Sequence, residues 1–246
     1  MAKYKMIALD LDGTLLDEER RISAKNKECI KRAREAGAIV CISTGRGFKS
    51  ALEHVAELGL DGPFVTANGS EVWFDRQTLL SRHLLSHEQV RKLIEVADSL
   101  GIWYWSYTID GLLSRDNFDG KIESVDWLKL GFYDEDVKKL QAALEIIKDW
   151  PGLEISNSHE LNIEINPQGV SKAVGLQLVC ERLGITMEQV VACGDSLNDV
   201  AMIKVAGMGV AMGNAQQAVK DIADWVSLSN QEHGVAAAIE KFILNE

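Results

Sequence analysis

The chain has 246 residues, 46% hydrophobic and 26% charged, a balance typical of globular proteins with ample apolar material for a core. Its formal charge of -11 argues against a nucleic-acid surface, because neutralising a phosphate backbone needs clustered Lys and Arg. A small phosphorylated ligand, needing only a few local cations, remains compatible with it.

The N-terminus runs directly into an apolar stretch, MIAL at Met6 to Leu9, with no signal-peptide h-region and no apolar run near the ~20 residues of a membrane helix, so a cytoplasmic protein without membrane partners is expected. MIAL is continuously apolar, as a parallel strand covered on both faces requires. A helix over Ala24 to Ala36 follows, with Ser23 as N-cap and Gly37 as its stop. Ala38 to Ile42 reads as a second buried strand and Phe48 to Leu58 as a second helix. FVTANGSEVWF reads as a strand that turns at Asn68-Gly69 and runs back.

The middle of the chain has a different texture. Ser86 opens a helix over Glu88 to Leu100, and IWYWSYTIDGLLSR alternates and turns at Asp110-Gly111. WLKLGFY reads as a strand, Glu135 to Trp150 as a helix, and GLEISNSHELNIEI as a hairpin turning near Asn157-Ser158. Hairpins with two helices make an antiparallel α+β unit. After Asn166-Pro167 the α/β rhythm resumes, with a helix over Ser171 to Leu183 and the strand VVACGD. A helix over Asn198 to Val205, the strand and loop MGVAMGNA, the short strand WVSL and a helix over Val235 to Leu244 complete it. The expected fold class is α/β, a Rossmann-like doubly wound parallel sheet formed by residues 1–82 and 167–246. An α+β unit at residues 83–166 is inserted into it.

Cys29, Cys41, Cys180 and Cys193 show no CxxC pattern and read as small buried hydrophobes. The five histidines form no HxH or HxxxH pair and read as surface or loop residues; His83 and His159 are the two considered for the edge of a cleft. Trp103 and Trp105 share one face of a strand. Packing under the inserted unit's helices is the expected fate, against stacking on a ligand ring.

Four chain-distant features fall at the C-terminal ends of parallel strands or on a helix pointing there, where open α/β sheets hold ligands. They are Asp10 and Asp12, the run Ser43-Thr44-Gly45-Arg46, Lys172, and Asp195-Ser196-Leu197-Asn198-Asp199. An aspartate can attack the phosphorus of a phosphate monoester if a divalent cation screens the repulsion and a second acid protonates the leaving oxygen. Mg²⁺ takes oxygen ligands and keeps several waters, so Asp10 and Asp195 on adjacent strands suffice for it. Thr44, the Gly45 amide and Lys172 supply donors for the phosphoryl oxygens. An EF-hand loop is excluded, because the glycine of DLDG is fourth rather than sixth and the twelfth position is Arg21. Gly45-Arg46-Gly47-Phe48-Lys49-Ser50 resembles a dinucleotide fingerprint but carries Ser50 as its third glycine. No GxxxxGK[ST] is present.

DLDGT, STGR, the lone Lys172 and GDSLND, in this order, resemble the four motifs of the haloacid dehalogenase-like superfamily. The insertion between the second and third motifs, with ANGS, MGNA and NQEHGV, resembles its Cof-type branch with an α+β cap. The resemblance implies Asp10 as nucleophile, Asp12 as general acid/base, and Thr44, Gly45 and Lys172 as phosphate ligands. It further implies Mg²⁺ held by Asp10, the Asp12 carbonyl and Asp195, with Asp199 behind them or ligating through water. Arg46, Asn68 and Asn198 are expected beside the substrate. Gly13 is expected to permit a tight exit from the first strand and Thr14 to cap the loop. The implied activity is hydrolysis of small phosphate monoesters, such as sugar phosphates, through an aspartyl-phosphate. A phosphomutase sharing this nucleophile, and a phosphate-sensing module with a stable phosphoaspartate, are the alternatives.

Overall fold

A computed structural model describes residues 3–246. Its thirteen described strands form two sheets. The larger one runs β13-β12-β11-β1-β2-β3-β4-β5 and the smaller β7-β6-β8-β10-β9. In the larger sheet these are β1 Met6–Leu9, β2 Ile39–Ser43, β3 Phe64–Thr66, β4 Glu71–Trp73, β5 Leu79–Arg82, β11 Val190–Gly194, β12 Met208–Ala211 and β13 Trp225–Val226. The smaller comprises β6 Trp103–Thr108, β7 Leu112–Ser114, β8 Trp127–Tyr133, β9 Leu153–Ser156 and β10 Asn162–Pro167. The helices are α1 Ala24–Glu35, α2 Phe48–Val55, α3 His87–Leu100, α4 Val137–Ile147, α5 Lys172–Leu183, α6 Val200–Val205, α7 Gln217–Lys220 and α8 Gly234–Ile239.

In the larger sheet β13, β12, β11, β1, β2 and β3 are parallel, and β4 and β5 add antiparallel pairings at one edge. β1 lies between β2 and β11, so the chain leaves β1 to one side early and returns on the other side late. That reversal opens the crevice in which doubly wound sheets bind ligands. β1 and β11 are buried at every position, as two-sided coverage by helices demands.

The smaller sheet is antiparallel, with α3 and α4 on one face. Tyr104, Leu130, Phe132, Ile163 and Ile165 pack against those helices. The alternate residues Trp105, Tyr107, Lys129 and Glu164 take the opposite face, over the strand ends of the larger sheet. The two hydrophobic cores are separate clusters.

Local signals explain most element ends. Ser23, Ser86 and Ser171 each accept a backbone N–H at the start of α1, α3 and α5, and Ser86 completes a capping box with Gln89. The expected turn at Asn68-Gly69 is a single 3₁₀ turn over Ala67–Gly69, with Ala67 and Asn68 both in the left-handed region. The second helix ends at Val55 and continues as a 3₁₀ turn over Ala56–Leu58. β5 and α7 are not apparent in the sequence pattern; β5 is largely exposed and pairs only along its β4 side. All four cysteines are buried and unpaired. No helix among the described residues is long and apolar enough to cross a membrane.

Candidate active site

β1 and β11 end side by side, and their registered pairing continues into the Asp10 N–H to Cys193 carbonyl bond of 3.1 Å. Asp10 and Asp195 therefore emerge together. Asp10, Asp195 and Asp199 each offer a carboxylate oxygen within 4.8 Å of the others. Lys172, the first residue of α5 and wholly buried, donates to Asp10 Oδ1 and to Asp199 Oδ1, both at 2.6 Å. The other Asp199 oxygen accepts the N–H groups of Asp195 and Ser196, so this carboxylate folds the loop on which Asp195 sits. Asp195 itself accepts from Thr14 Oγ1 at 3.1 Å and Ser196 Oγ at 2.9 Å. Thr14 thus holds the second acidic loop with its side chain, rather than capping the first. Gly13 is required there: it has φ +77, and a β-carbon would lie 2.5 Å from Asp195 Oδ2.

Three carboxylates around one ammonium leave the cluster net negative. Burial, and then its acidic neighbours against the pull of Lys172, raise Asp10 well above the ordinary carboxylate range. Burial and Asp199 push Asp195 up to about 7. For Lys172, burial works against the charge, but Asp10 and Asp199 outweigh it and raise the ammonium above its usual value. An all-oxygen, net-negative pocket of this kind fits a hard divalent cation such as Mg²⁺, which would satisfy the charge that protons otherwise meet. Asp10, Asp195 and Asp199 meet that test, whereas the Asp12 carboxylate is not part of the cluster.

Asp12 turns instead to Arg46. The guanidinium makes a two-pronged contact, Nε to Oδ2 at 2.7 Å and Nη2 to Oδ1 at 2.6 Å. Burial alone would raise the Asp12 carboxyl, but Arg46 outweighs it and holds the group below the usual range. Arg46 Nη1 also reaches Ser50 Oγ at 3.3 Å and His54 Nε2 at 2.8 Å. Thr44 is buried at the end of β2, its Oγ1 accepting the Arg46 N–H.

Asn68 and Asn198 tie the two sheets together. Asn68 Nδ2 donates to Glu164 Oε2 at 2.7 Å and to Asn166 Oδ1 at 3.1 Å. Asn198 Nδ2 lies 3.2 Å from Asn68 Oδ1 and 3.3 Å from Glu164 Oε2. Lys129 Nζ is 2.8 Å from Glu164 Oε1, which also accepts from Ser158 Oγ. A cavity of about 400 Å³ lies between the strand ends and the smaller sheet, reached by Asp10, Asp12, Gly45, Arg46 and Asp195 from below and by Trp105, Tyr107, Lys129 and Glu164 from above.

Of the residues singled out in the sequence, Asp10, Asp12, Gly45, Arg46, Asp195 and Asn198 border this cavity. Thr44, Lys172 and Asp199 lie just beneath. His83 and His159 do not line it; His54 reaches the site through its contact with Arg46. The expectation for Trp103 and Trp105 is overturned. Both face the cavity, and Tyr104 is the β6 aromatic packed under the helices. Alternation fixes that Trp103 and Trp105 share a face but not which face the helices cover. Lys129 and Glu164 escaped notice in the sequence; their signal is a charged residue flanked on both sides by apolar ones within a strand, in WLKLGFY and NIEI.

Comparison with known proteins assigns the chain to a family. A sequence model of haloacid dehalogenase-like hydrolases matches residues 7–125 and 114–239. Over 240 residues the chain is 43% identical to 5-amino-6-(5-phospho-D-ribitylamino)uracil phosphatase YcsE of Bacillus subtilis (strain 168), covering 98% of this chain and 96% of that one. It is 33% identical over 239 residues to a phosphoglycolate phosphatase of Methanobrevibacter smithii, over 97% and 98% of the two chains. A solved haloacid dehalogenase-like hydrolase from B. subtilis superposes with TM-score 0.88 at 26% identity, over 96% of this chain and 99% of the other. Fold, acidic cluster and relatives define a hydrolase of phosphoric monoesters built on a capped α/β core. The chain belongs to the haloacid dehalogenase-like hydrolase family, in its Cof-type branch.

Proposed function

We propose that the protein is a Mg²⁺-dependent phosphatase of small phosphate monoesters that works through a phosphorylated Asp10, with residues 83–166 as its cap and 1–82 and 167–246 as its catalytic core. The observation that carries this reading is the buried Asp10–Lys172–Asp199 chain beside Asp195, a nucleophile held between a fixed cation and an oxygen-lined cation pocket.

Lys172 has three N–H donors, of which two hold Asp10 and Asp199. The third serves a phosphoryl oxygen, together with Thr44 and the Gly45 amide. Asp10, Asp195 and the Asp12 carbonyl would hold Mg²⁺, with Asp199 bracing the Asp195 loop, and the cation would supply charge screening for the phosphate. Asp12, once released by Arg46, takes up a proton from solvent; Asp10 then attacks phosphorus and Asp12 gives that proton to the departing alkoxide. Asp12 then takes a proton from water, which attacks the aspartyl-phosphate and restores Asp10. In the resting enzyme Arg46 occupies the Asp12 carboxylate. A bound phosphate ester draws Arg46 away and frees Asp12 for proton transfer.

5-Amino-6-(5-phospho-D-ribitylamino)uracil, named for the relative above, is the first substrate to assay. Phosphate release from a panel of metabolite esters with Mg²⁺ tests the reading. Asp10→Asn is expected to abolish turnover, and EDTA to do so reversibly. Full activity in either case overturns the mechanism.

A further inference from the structure

The face of the smaller sheet turned to the cavity is unevenly equipped. Its polar groups crowd the phosphate end, where Glu164 is already engaged by Lys129, Ser158, Asn68 and Asn198. Beyond them the wall is aromatic. Trp105 and Tyr107 meet edge to face, ring centroids 5.6 Å apart at 80°, forming a corner open to the cavity.

Three glycines make room for this wall. Trp105 pairs across the strands with Gly131, and a β-carbon there would overlap the indole. At Gly47 a β-carbon would come within 2.8 Å of the Tyr107 ring. At Gly45 it would lie 3.1 Å from Lys129 Nζ. Lys129 Nζ is in turn 4.8 Å from the Trp105 ring centre and 5.7 Å from that of Tyr107. Gly45 and the two rings thus meet at Lys129, on the cavity that Asp10 also borders.

We propose that Trp105 and Tyr107 form a stacking subsite for a planar conjugated ring carried by the alcohol portion of the phosphate ester, with Lys129 at the junction between ring and phosphate. This rests on the phosphatase reading above and assigns the specificity of that same site. A purely hydroxylated leaving group finds few unengaged polar partners on this wall and leaves its aromatic faces in contact with water. A planar ring covers them, and the aromatic corner offers both a stacking face and an edge.

The test uses two esters with a common phosphorylated chain, 5-amino-6-(5-phospho-D-ribitylamino)uracil and ribitol 5-phosphate, which lacks the ring. Wild-type kcat/KM is expected to favour the ring-bearing ester at least about tenfold, the scale of one aromatic stacking contact. Trp105→Leu is expected to bring that ratio towards one, while Trp105→Phe, which keeps a ring, retains most of it. A wild-type ratio near one overturns the subsite, and so does a Trp105→Leu enzyme with the wild-type ratio. The wild-type comparison decides even if a variant fails to fold. Turnover of both esters without preference sinks the subsite and leaves the phosphatase reading standing. No turnover of any phosphate ester sinks both.

Discussion

Lys172 is wholly buried, yet it is charged because two carboxylates share it. Such a group is held by its partners, and they by it; removing one side strands the other. Lys172→Met is expected to lower stability by about 3–5 kcal/mol, read from urea unfolding at neutral pH. The same change should reduce kcat/KM by about 10²–10³-fold, since in the proposed mechanism it removes a fixed donor from the phosphoryl group. Wild-type unfolding in this variant would show that the Asp10–Lys172–Asp199 chain carries little strain or energy. At this scale the sequence was informative, because Asp10, Asp12, Lys172 and Asp195 are the residue types phosphoryl transfer needs. Arg46 was legible only as a neighbour of the substrate. Its two-pronged hold on Asp12 depends on side-chain torsions that no spacing encodes.

Elements set the aim of these side chains. β11 delivers Asp195, and the loop behind it is folded by Asp199 accepting two backbone N–H groups. Gly194, the last residue of β11, leaves the space that the Asp199 carboxyl fills; a β-carbon would overlap it. Gly194→Ala should therefore displace Asp199 and with it Lys172. Activity is expected to fall about 10²-fold, the usual effect of a misplacement near 1 Å. The unfolding free energy should fall only by the cost of overpacking, about 1–3 kcal/mol. Loss of stability without loss of activity would refute this placement of Asp199. Serine caps, glycine stops and continuous apolar runs announced most of these elements in advance. The short exposed strand β5 did not, because it lacks the buried side chains that create a pattern.

Across the molecule, the two sheets are joined by buried polar contacts rather than by a shared apolar core. Glu164 is their hub. Asn166 adds bonds from its Nδ2 to the Ala67 carbonyl and Ser70 Oγ. Burial alone would raise the Glu164 carboxyl, but Lys129 and Asn68 outweigh it and bring the group below its ordinary value of 4.5. A carboxyl with a lower folded than unfolded pKa stabilises the protein above the unfolded value, and that stability is lost as pH falls through the folded one. Glu164→Gln strands Lys129 and is expected to lose about 3–5 kcal/mol at pH 7. The gap from wild type should narrow below pH 4.5, read from urea unfolding across that range. A gap independent of pH would remove Glu164 from the ionised network.

By itself the sequence determined the doubly wound core, the inserted α+β unit as a change of texture, and the order of the polar motifs at the strand ends. These depend on local periodicity and on residue chemistry at strand ends, both of which a linear pattern carries. Tertiary structure decided which face of β6 meets the cavity, that Lys129 and Glu164 join the site, and that Asn68 and Asn198 clasp the two sheets. Those outcomes depend on where α3 and α4 pack and on which long-range neighbours satisfy each buried polar group. A one-dimensional pattern fixes the alternation of a strand, but only packing chooses the side that is covered.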